Sequence, residues 1–246
     1  MSVHAIDGMN ADALASALSV PRVVLLATVA STMDEAHRLA AEGAPGGTLV
    51  IADEQTAGRG RAGKRWSSEH ERGLWMTLIE RPGTASGLDV LSLRLGLHAA
   101  PVLELFSHAR VQLKWPNDLY SDSRKLAGVL VEARWREQQA EWVAIGIGVN
   151  IVSPADVRTG IGLLPGTRRS TLVLALLPAL RAAAAARGPL TVQELAEFDR
   201  RDYARDRPCV QPAVGIANGI TSDGALIITG EHGISHFRAG SLELAT

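Results

Sequence analysis

The apolar positions of the chain fall into runs whose spacing changes between that of β-strands and that of helices. Short continuous or alternating apolar runs predict strands over 22–29, 48–52, 74–79, 111–115, 126–135 and 142–149. Helical spacing, with a Ser-Thr-Met-Asp cap before the second segment, predicts helices over 10–18, 31–41, 88–106, 170–187 and 192–203. This interspersed pattern is typical of an α+β domain.

The end of the chain has a different pattern. Pro208 and Pro212 interrupt the sequence after the last predicted helix. Short apolar runs then follow, separated by Ser-Asp-Gly and Glu-His-Gly turns, at 214–217, 226–229 and 234–237. We therefore predict two domains, an α+β domain over 1–206 and a small all-β domain over 207–246.

Composition and charge exclude several classes of protein. The chain has 25 basic and 26 acidic residues and a formal net charge of -1, so it lacks the basic field of a general DNA-binding or membrane-surface protein. The single cysteine, Cys209, excludes an intramolecular disulfide and a cysteine-based zinc site. The N-terminus lacks signal-peptide features, and the longest apolar runs are shorter than the ~20 residues that span a bilayer. We expect a soluble cytoplasmic protein.

The basic residues are divided very unevenly between arginine and lysine. There are 22 arginines and three lysines, and the lysines are Lys64, Lys114 and Lys125. A general preference for arginine accounts for the scarcity of lysine. Where arginine replaces lysine freely, the remaining lysines are enriched for positions that need a compact ammonium group, so these three residues mark candidate sites.

A glycine-rich basic segment follows the strand predicted over 48–52. The sequence from Gly58 to Gly63 matches the G-x-G-x-x-G pattern of dinucleotide sites, but no helix follows to carry a pyrophosphate. The P-loop spacing also matches up to Lys64, but Arg65 stands where that motif needs a hydroxyl for magnesium. What remains is a loop of glycines and cations suited to a polyanionic ligand. A solvated basic surface turn is the alternative.

Polar groups also lie at the ends of two later strands. Lys114 ends one strand, and Asn117 and Asp118 occupy the turn after it, where they either serve a ligand or magnesium or only form the turn. Lys125 begins the next strand, and Gly128 within that strand indicates close approach by a ligand or another backbone. Strand ends of this kind are where α/β-type folds assemble sites.

Five motif blocks occur in one order along the chain. They are Ser31-Thr32 after a strand, Gln55 before Gly58-Arg-Gly-Arg-Ala-Gly-Lys-Arg-Trp66, Lys114-Trp-Pro-Asn-Asp118, Lys125-Leu-Ala-Gly-Val-Leu-Val-Glu132 and Gly146-Ile-Gly-Val-Asn150. In this order they resemble the family of biotin protein ligases, or biotin-[acetyl-CoA-carboxylase] ligases. The resemblance spans about residues 22 to 246, and the segment from Gly215 to Leu226 resembles the start of the family's SH3-like domain.

The resemblance implies a fold and a reaction. The fold is a mixed β-sheet with flanking helices, the class II synthetase-like biotin/lipoate ligase fold, followed by a small SH3-like β domain. The family activates biotin with Mg-ATP to biotinyl-5'-adenylate and pyrophosphate, then transfers biotin to one lysine of a biotin carboxyl carrier domain. The resemblance thus implies an ATP-dependent, AMP-forming ligase with Mg²⁺ as cofactor, a carrier domain of acetyl-CoA or related carboxylases as partner, and a monomeric or homodimeric state.

The matched positions also imply roles for individual residues. Lys125 is the first candidate for stabilising transition-state charge, with Arg59 and Lys114 as further catalytic cations. The implied biotin site comprises Ser31, Thr32, Gln55, Gly58, Arg59, Gly60, Arg61, Lys125 and Gly146. The implied nucleotide site comprises Arg61, Trp66, Lys114, Asn117, Asp118 and Asn150, with Asp118 serving the magnesium of the nucleotide and no resident metal. The glycine-rich segment is expected to cover the adenylate and exclude water.

The sequence departs from the family pattern in four places. Met33 stands where asparagine is usual, so no hydrogen bond is expected from that side chain, and Lys64 stands where arginine is common. The small domain is expected to lack about one strand between Pro208 and Val214, which would leave an incomplete barrel. The residues before the first strand are too few for the winged helix-turn-helix of bifunctional members, so no repressor function is expected.

Two other functions remain open from the sequence. A lipoate or octanoate transferase of the same superfamily shares the fold and a catalytic lysine, but it lacks the Gly-Arg-Gly-Arg and Lys-Trp-Pro-Asn-Asp blocks. A noncatalytic biotin- or nucleotide-binding protein would tolerate loss of Arg59, Lys114 and Lys125 better than an enzyme would. Biotin-dependent exchange of pyrophosphate into ATP distinguishes the three.

Overall fold

A computed structural model describes residues 5–154, 157 and 159–245 of the chain. Its larger sheet has seven strands in the order β1-β2-β3-β7-β6-β5-β4, with β1 and β2 parallel and the other pairs antiparallel. The strands are β1 Val23–Val29, β2 Leu49–Gln55, β3 Gly73–Glu80, β4 Val111–Lys114, β5 Asp118–Ser121, β6 Arg124–Arg136 and β7 Gln139–Asn150. The sequence-based prediction of an α+β fold with a mixed sheet is confirmed.

Within the described part of the chain, five α-helices pack on this sheet, and three of them begin at side-chain caps. The helices are α1 Ala11–Leu18, α2 Thr32–Ala41, α3 Leu91–Glu104, α4 Arg169–Ala185 and α5 Val192–Arg201. The side chains of Asn10 and Ser31 accept hydrogen bonds from the first turns of α1 and α2. Thr191 and Glu194 form a capping box at α5. The start of α2 at Ser31, which places Thr32 at the edge of the sheet, is therefore fixed locally.

The two faces of the sheet are covered unequally. Along β7, Val143, Ile145, Ile147 and Val149 point to one face and join the main hydrophobic core with α3 and α4. On the other face, Trp142 and Ala144 pack against Met33, Ala36, Leu39 and Ala40 of α2. Gly146 and Gly148 continue that second face beyond the helix. Because side chains along this face become smaller toward the end of β7, half of the face is left open.

The C-terminal residues form a second, fully antiparallel sheet. Its strands are β8 Pro208–Gln211, β9 Gly215–Ile220, β10 Leu226–Gly230, β11 Gly233–Phe237 and β12 Glu243–Leu244, in the order β11-β10-β9-β8-β12. The expectation that a strand is missing between Pro208 and Val214 was wrong, because β8 lies there and pairs with both β9 and β12. Pro208 is the first residue of β8 and Pro212 follows its last, so neither proline interrupts the ladder.

The short strands β5 and β12 were also missed. The turn predicted at Pro116, Asn117 and Asp118 is present, but Asp118 is already the first residue of β5, which pairs with β4 and β6. Four residues between two turns give too short an apolar pattern to be recognised as a strand.

The two sheets share one continuous core rather than meeting at an isolated linker. The indole of Trp115 donates to the carbonyl of Gly224 at 3.0 Å, and the amide of Leu190 donates to Ser222 at 2.8 Å. Buried residues of both sheets belong to the same hydrophobic cluster. The proposed boundary at residue 206 falls between α5 and β8 and stays a prediction. Among the described residues, no helix has the length and apolar character that crossing a membrane requires.

Asp202, after α5, provides a prediction for stability. Its Oδ1 accepts from the amide of Ala204 at 2.9 Å, while Oδ2 has no hydrogen-bond partner within the described residues. Burial raises the pKa of Asp202 to about 6. Since the folded state binds this proton more tightly than the unfolded state, ionisation destabilises the fold as pH rises through the window between the two pKa values.

The variant Asp202→Asn is therefore expected to be more stable than the parent, by roughly 1–3 kcal/mol at pH 8, because it removes the buried charge and keeps the acceptor. At pH 5 about half of that gain should remain, since the parent is then partly protonated. Urea denaturation at both pH values measures this. An equal change in the free energy of unfolding at pH 5 and pH 8 would contradict it.

Candidate active site on the open half of the sheet

One row of paired residues crosses the open half of the sheet. In register from β3 to β4, the row consists of Trp75, Gly148, Gly128, Asp118 and Lys114. Directly paired residues on adjacent strands point to the same face. Three motif blocks that are far apart in sequence, those containing Lys114, Gly128 and Gly148, are thereby brought side by side.

The two glycines of this row form a floor for the indole of Trp66. A Cβ at Gly148 would lie 2.6 Å from Trp66 Nε1, and one at Gly128 would lie 2.9 Å from Trp66 Cζ3. The ring meets Trp75 edge-on, with ring centroids 6.4 Å apart. Any side chain at either glycine would displace the ring, so the glycines hold Trp66 as a wall of the pocket.

Lys125 extends across this wall. Its Nζ lies 2.7 Å from Asp118 Oδ1 and 5.0 Å from the centroid of the Trp66 ring. Its backbone amide donates to Thr159 at 2.7 Å, and its carbonyl accepts from Ile161 at 3.0 Å. The lysine is thus held through its backbone, and its ammonium group is available at the pocket surface with one carboxylate beside it.

Lys114 and Arg61 supply further positive charge, and both are about half-buried. Desolvation lowers the pKa of Lys114, while the charge of Asp118 acts in the opposite direction; desolvation likewise lowers the pKa of Arg61. Lys114 Nζ lies 5.4 Å from the ring centroid of Tyr120, which stacks on Tyr203 at 4.5 Å. Partly desolvated cations in a concave site attract an anion strongly.

The deep end of the pocket is a hydrogen-bonded polar cluster. Gln55 Oε1 accepts from the amide of Thr32 at 2.8 Å and from its hydroxyl at 3.1 Å. Gln55 Nε2 donates to Ser68 at 2.7 Å. The hydroxyl of Thr32 also lies 2.9 Å from that of Thr77, a fully buried residue of β3. Since Thr32 gives its proton to Gln55, Thr77 donates to Thr32 and its own oxygen keeps acceptor capacity.

The glycine-rich segment closes on itself beside the pocket. Gly60 donates to the carbonyl of Lys64 at 2.7 Å, and Trp66 donates to Gly58 at 2.9 Å. A Cβ at Gly58 would lie 2.5 Å from the carbonyl oxygen of Trp66, so glycine is required there for this close approach. The guanidinium of Arg59 pairs with Asp34 at 2.8 Å and with Glu132 at 3.1 Å.

These elements enclose a cavity of about 560 Å³. Most of the residues that the sequence assigned to the site line it: Ser31, Thr32, Gln55, Arg59, Gly60, Arg61, Trp66, Lys114, Asn117, Asp118, Lys125 and Gly146. Gly58 and Asn150 are not among its lining residues. Asn150 is buried and donates to the carbonyl of Lys125 at 3.3 Å, and the carboxamide of Asn117 donates to the carbonyl of Val129 at 2.6 Å.

Several residues that line the pocket were not predicted from the sequence. They include Thr77, Tyr120, Gly148 and the segment 239–243, which follows β11 in the second sheet. Thr77 carried a detectable signal, because it is the one polar side chain in the apolar strand Gly73–Glu80 before its terminal glutamate. The segment 239–243 carried none, since its approach depends on how the two sheets pack.

The pocket fits a metal ion that arrives with a phosphate ligand. Among the described residues, no group of three or more His, Cys, Asp or Glu side chains is placed to hold a metal. Mg²⁺ is typically bound through one or two carboxylates and the phosphates of a substrate. Asp118, at the centre of the pocket and beside Lys125, can supply one such carboxylate.

The mixed sheet and the C-terminal antiparallel sheet match those of a known protein family. The sequence profile described as "Biotin/lipoate A/B protein ligase family" matches residues 25–150 of the chain, which contain all five motif blocks. The chain belongs to this family, and the resemblance inferred from its motifs is confirmed.

Individual relatives agree with this assignment. The chain is 39% identical over 129 residues to the bifunctional ligase/repressor BirA of Bacillus spizizenii, covering 52% of this chain and 40% of that protein. It is 39% identical over 135 residues to the biotin–[acetyl-CoA-carboxylase] ligase of Paracoccus denitrificans, covering 54% and 55%. The structure of the biotin protein ligase from Aquifex aeolicus in complex with biotin and ATP superposes with a TM-score of 0.73 at 25% identity, covering 91% and 98%. The chain thus spans about half or less of the length of these two sequence relatives.

Proposed function

We propose that the chain is a biotin protein ligase. It activates biotin with Mg-ATP to biotinyl-5'-AMP and pyrophosphate, and it then transfers biotin to a lysine of a biotin carboxyl carrier domain. The observation that carries the proposal is the position of Lys125, whose ammonium lies in the pocket, 2.7 Å from Asp118 Oδ1 and 5.0 Å from the ring centroid of Trp66. The relative of known structure bears biotin and ATP together.

The polar end of the pocket favours biotin over lipoate. With their protons committed inside the cluster, Thr32 and Thr77 present oxygen lone pairs to the cavity. The ureido ring of biotin has two N–H donors that such acceptors can bind, whereas the dithiolane ring of lipoate has none. A site built to bond a donor group rejects an analogue that lacks it, because its own buried polar atoms are then left unpaired.

The first half-reaction brings two anions together. An oxygen of the biotin carboxylate attacks the α-phosphorus of ATP, and the bond from that phosphorus to the leaving pyrophosphate breaks. Lys125, Lys114 and Arg61 offset the repulsion and stabilise the charge that develops on the phosphate oxygens. Mg²⁺, when bound with the nucleotide, supplies further neutralisation of the phosphates.

The second half-reaction needs a path for a protein side chain. A larger open cavity of about 1320 Å³ runs along the glycine-rich segment and shares Arg59, Arg61 and Trp115 with the pocket. We assign it to the carrier lysine, whose neutral amine attacks the biotinyl carbonyl and releases AMP. Until then the glycine-rich segment keeps water from the mixed anhydride.

We also propose a partner and a cellular compartment for the chain. The partner is a carrier protein or domain of an acetyl-CoA or related carboxylase, and neither DNA nor a membrane takes part. The protein acts in the cytoplasm as a monomer or homodimer. A buried free thiol at Cys209 is in keeping with a reducing compartment.

Gly148 offers a test of the nucleotide wall. The variant Gly148→Ala places a methyl group 2.6 Å from the Trp66 ring, so the ring must move out of the wall. We expect KM for ATP to rise about tenfold, with KM for biotin changed much less. Steady-state kinetics with each substrate varied in turn measure both constants. Equal increases in the two constants would show that the ring does not serve the nucleotide selectively.

One experiment tests the proposed function directly. The full chain is incubated with Mg-ATP and labelled pyrophosphate, with biotin or with lipoate, and the label in ATP is counted. Exchange with biotin alone is the expected result. Exchange with lipoate alone would identify a lipoate ligase, and no exchange with either acid would favour a noncatalytic binding protein.

A further inference from the structure

A chain of hydrogen bonds outside the pocket ends on the glycine-rich segment. Trp142 Nε1 donates to His37 Nδ1 at 2.9 Å, and His37 Nε2 lies 3.0 Å from Glu132 Oε2. The same carboxylate oxygen accepts from Arg59 Nη2 at 3.1 Å. The chain connects β7, α2 and β6 to the first arginine of the segment that borders the pocket.

The direction of these bonds follows from the chemistry of the groups. An indole N–H can only donate, so His37 Nδ1 must accept. The neutral imidazole then carries its proton on Nε2, where it points at Glu132. Trp142 therefore sets the tautomer and the orientation of His37. Trp142 is itself fixed, because it is buried at 9% exposure and has the guanidinium of Arg81 5.8 Å from its ring centroid.

Glu132 would be poorly fixed without His37. It projects from β6 on the face that α2 covers, two residues beyond Leu130 and paired in register with Ala144. About a third of its side chain is exposed, so solvent competes for its oxygens. The bond from His37 holds it in the position that receives Arg59, and Asp34 from the first turn of α2 completes the pair of carboxylates.

The attachment of Arg59 to Glu132 affects the boundary of the pocket. Arg59 lines both the pocket and the larger cavity beside it, so its side chain forms part of the boundary between them. We propose that His37, oriented by Trp142, is a positioning residue that holds Glu132 toward Arg59 and thereby fixes the glycine-rich segment over the pocket. The catalytic meaning of this attachment rests on the proposed function, whereas the attachment itself does not.

Limited proteolysis with trypsin tests the attachment without requiring any activity of the chain itself. Trypsin cleaves after arginine and lysine, and the segment contains Arg59, Arg61, Lys64 and Arg65. The full-length variants His37→Leu and His37→Gln are compared with the parent chain, without ligands, for the rate of cleavage within residues 59–65 by mass spectrometry. Leucine removes both polar atoms of His37. Glutamine retains one acceptor and one donor at a similar spacing.

We expect cleavage in His37→Leu to be about fivefold faster than in the parent, because the open state of the segment becomes more populated. In His37→Gln it should remain within about twofold. Thermal midpoints check that both variants fold. The control is Glu42→Gln, at the end of the same helix, which loses an ion pair to Arg38 but none of the bonds in this chain and should be cleaved like the parent.

A double variant separates positioning from packing. If His37 acts through Glu132, adding His37→Leu to Glu132→Gln should accelerate cleavage by less than twofold beyond Glu132→Gln alone. Parent-like cleavage in a folded His37→Leu variant would overturn the proposal, and so would equal acceleration in the Leu and Gln variants. In the active enzyme, His37→Leu should also release or hydrolyse biotinyl-adenylate several-fold faster in the absence of carrier. If the parent chain shows no biotin-dependent pyrophosphate exchange, the proposed function is refuted, but the proteolysis result stays valid.

Discussion

Replacing Lys125 by alanine is expected to lower the rate of adenylate formation by a factor of ~100 or more, the scale observed when one fixed donor is removed from a developing oxyanion. Two effects add here. The ammonium proposed to face the reacting phosphate is lost, and Asp118, 2.7 Å from it, is left without its ion-pair partner in a pocket that is proposed to accept anions. Biotin-dependent exchange of labelled pyrophosphate into ATP measures the effect.

A neighbouring cation provides the matched control for this variant. Arg124 precedes Lys125 on β6, but it is exposed and pairs with Asp122 at 3.2 Å, so Arg124→Ala should exchange pyrophosphate at a near-parent rate. The double variant Lys125→Ala/Asp118→Asn should lose less activity than the two single losses multiplied, because the second change removes the stranded charge. Near-normal exchange in Lys125→Ala would remove this residue from the proposed role.

The second large effect concerns stability and arises at Arg169, the first residue of α4. Its guanidinium forms a buried ion pair with Asp53 of β2 and reaches Glu71 at 3.4 Å. The side chains of Arg169 and Asp53 are 8% and 7% exposed. Arg169→Ala is expected to cost about 3–5 kcal/mol, because it leaves the Asp53 carboxylate buried without a partner. For a chain of this size the melting temperature should fall by about 10 °C.

Two comparisons decide whether buried charge is the cause. Arg168→Ala, at the preceding exposed position, removes a hydrogen bond to the carbonyl of Asp7 and should cost less than about 1 kcal/mol. Combining Arg169→Ala with Asp53→Asn should recover part of the loss, since the unpaired charge is gone. Calorimetry of the four proteins measures these differences. A change below about 1 kcal/mol in Arg169→Ala would contradict the assigned role of the pair.

Local signals in the sequence were sufficient where neighbouring residues determine the structure. The hydroxyl of Ser31 caps α2 and fixes its start. The alternation of side chains along β7 separates a face that joins the core from a face whose side chains become smaller toward the end of the strand. The motif blocks could be placed at one site because their lysines and glycines fall at strand ends or within strands. In the structure, the row of paired residues from Trp75 to Lys114 brings three of these blocks side by side.

The remaining features depend on contacts between distant segments. β5 and β8 have four residues each, so their partners define them more than their own pattern does. Asn150 was expected to serve the nucleotide, and that role stays a prediction; in the structure its carboxamide donates to the backbone carbonyl of Lys125. A motif block in the sequence identifies such a residue. It does not show whether the side chain contacts the ligand directly or supports another residue that contacts the ligand. The roles of the individual site residues therefore stay predictions, and the variants described above test them.

The side chains on the open face of β7 become smaller toward the end of the strand, and this is useful for protein engineering. A methyl group at Gly146 would lie 2.8 Å from Met33 Cε, and Met33 also lines the pocket, so this flexible side chain on α2 borders the pocket beside Gly146. Shortening Met33 would enlarge the pocket there without altering any strand pairing. If the chain binds biotin as proposed, position 33 is a natural starting point for redesigning it to accept enlarged biotin analogues, such as tagged reagents for orthogonal labelling.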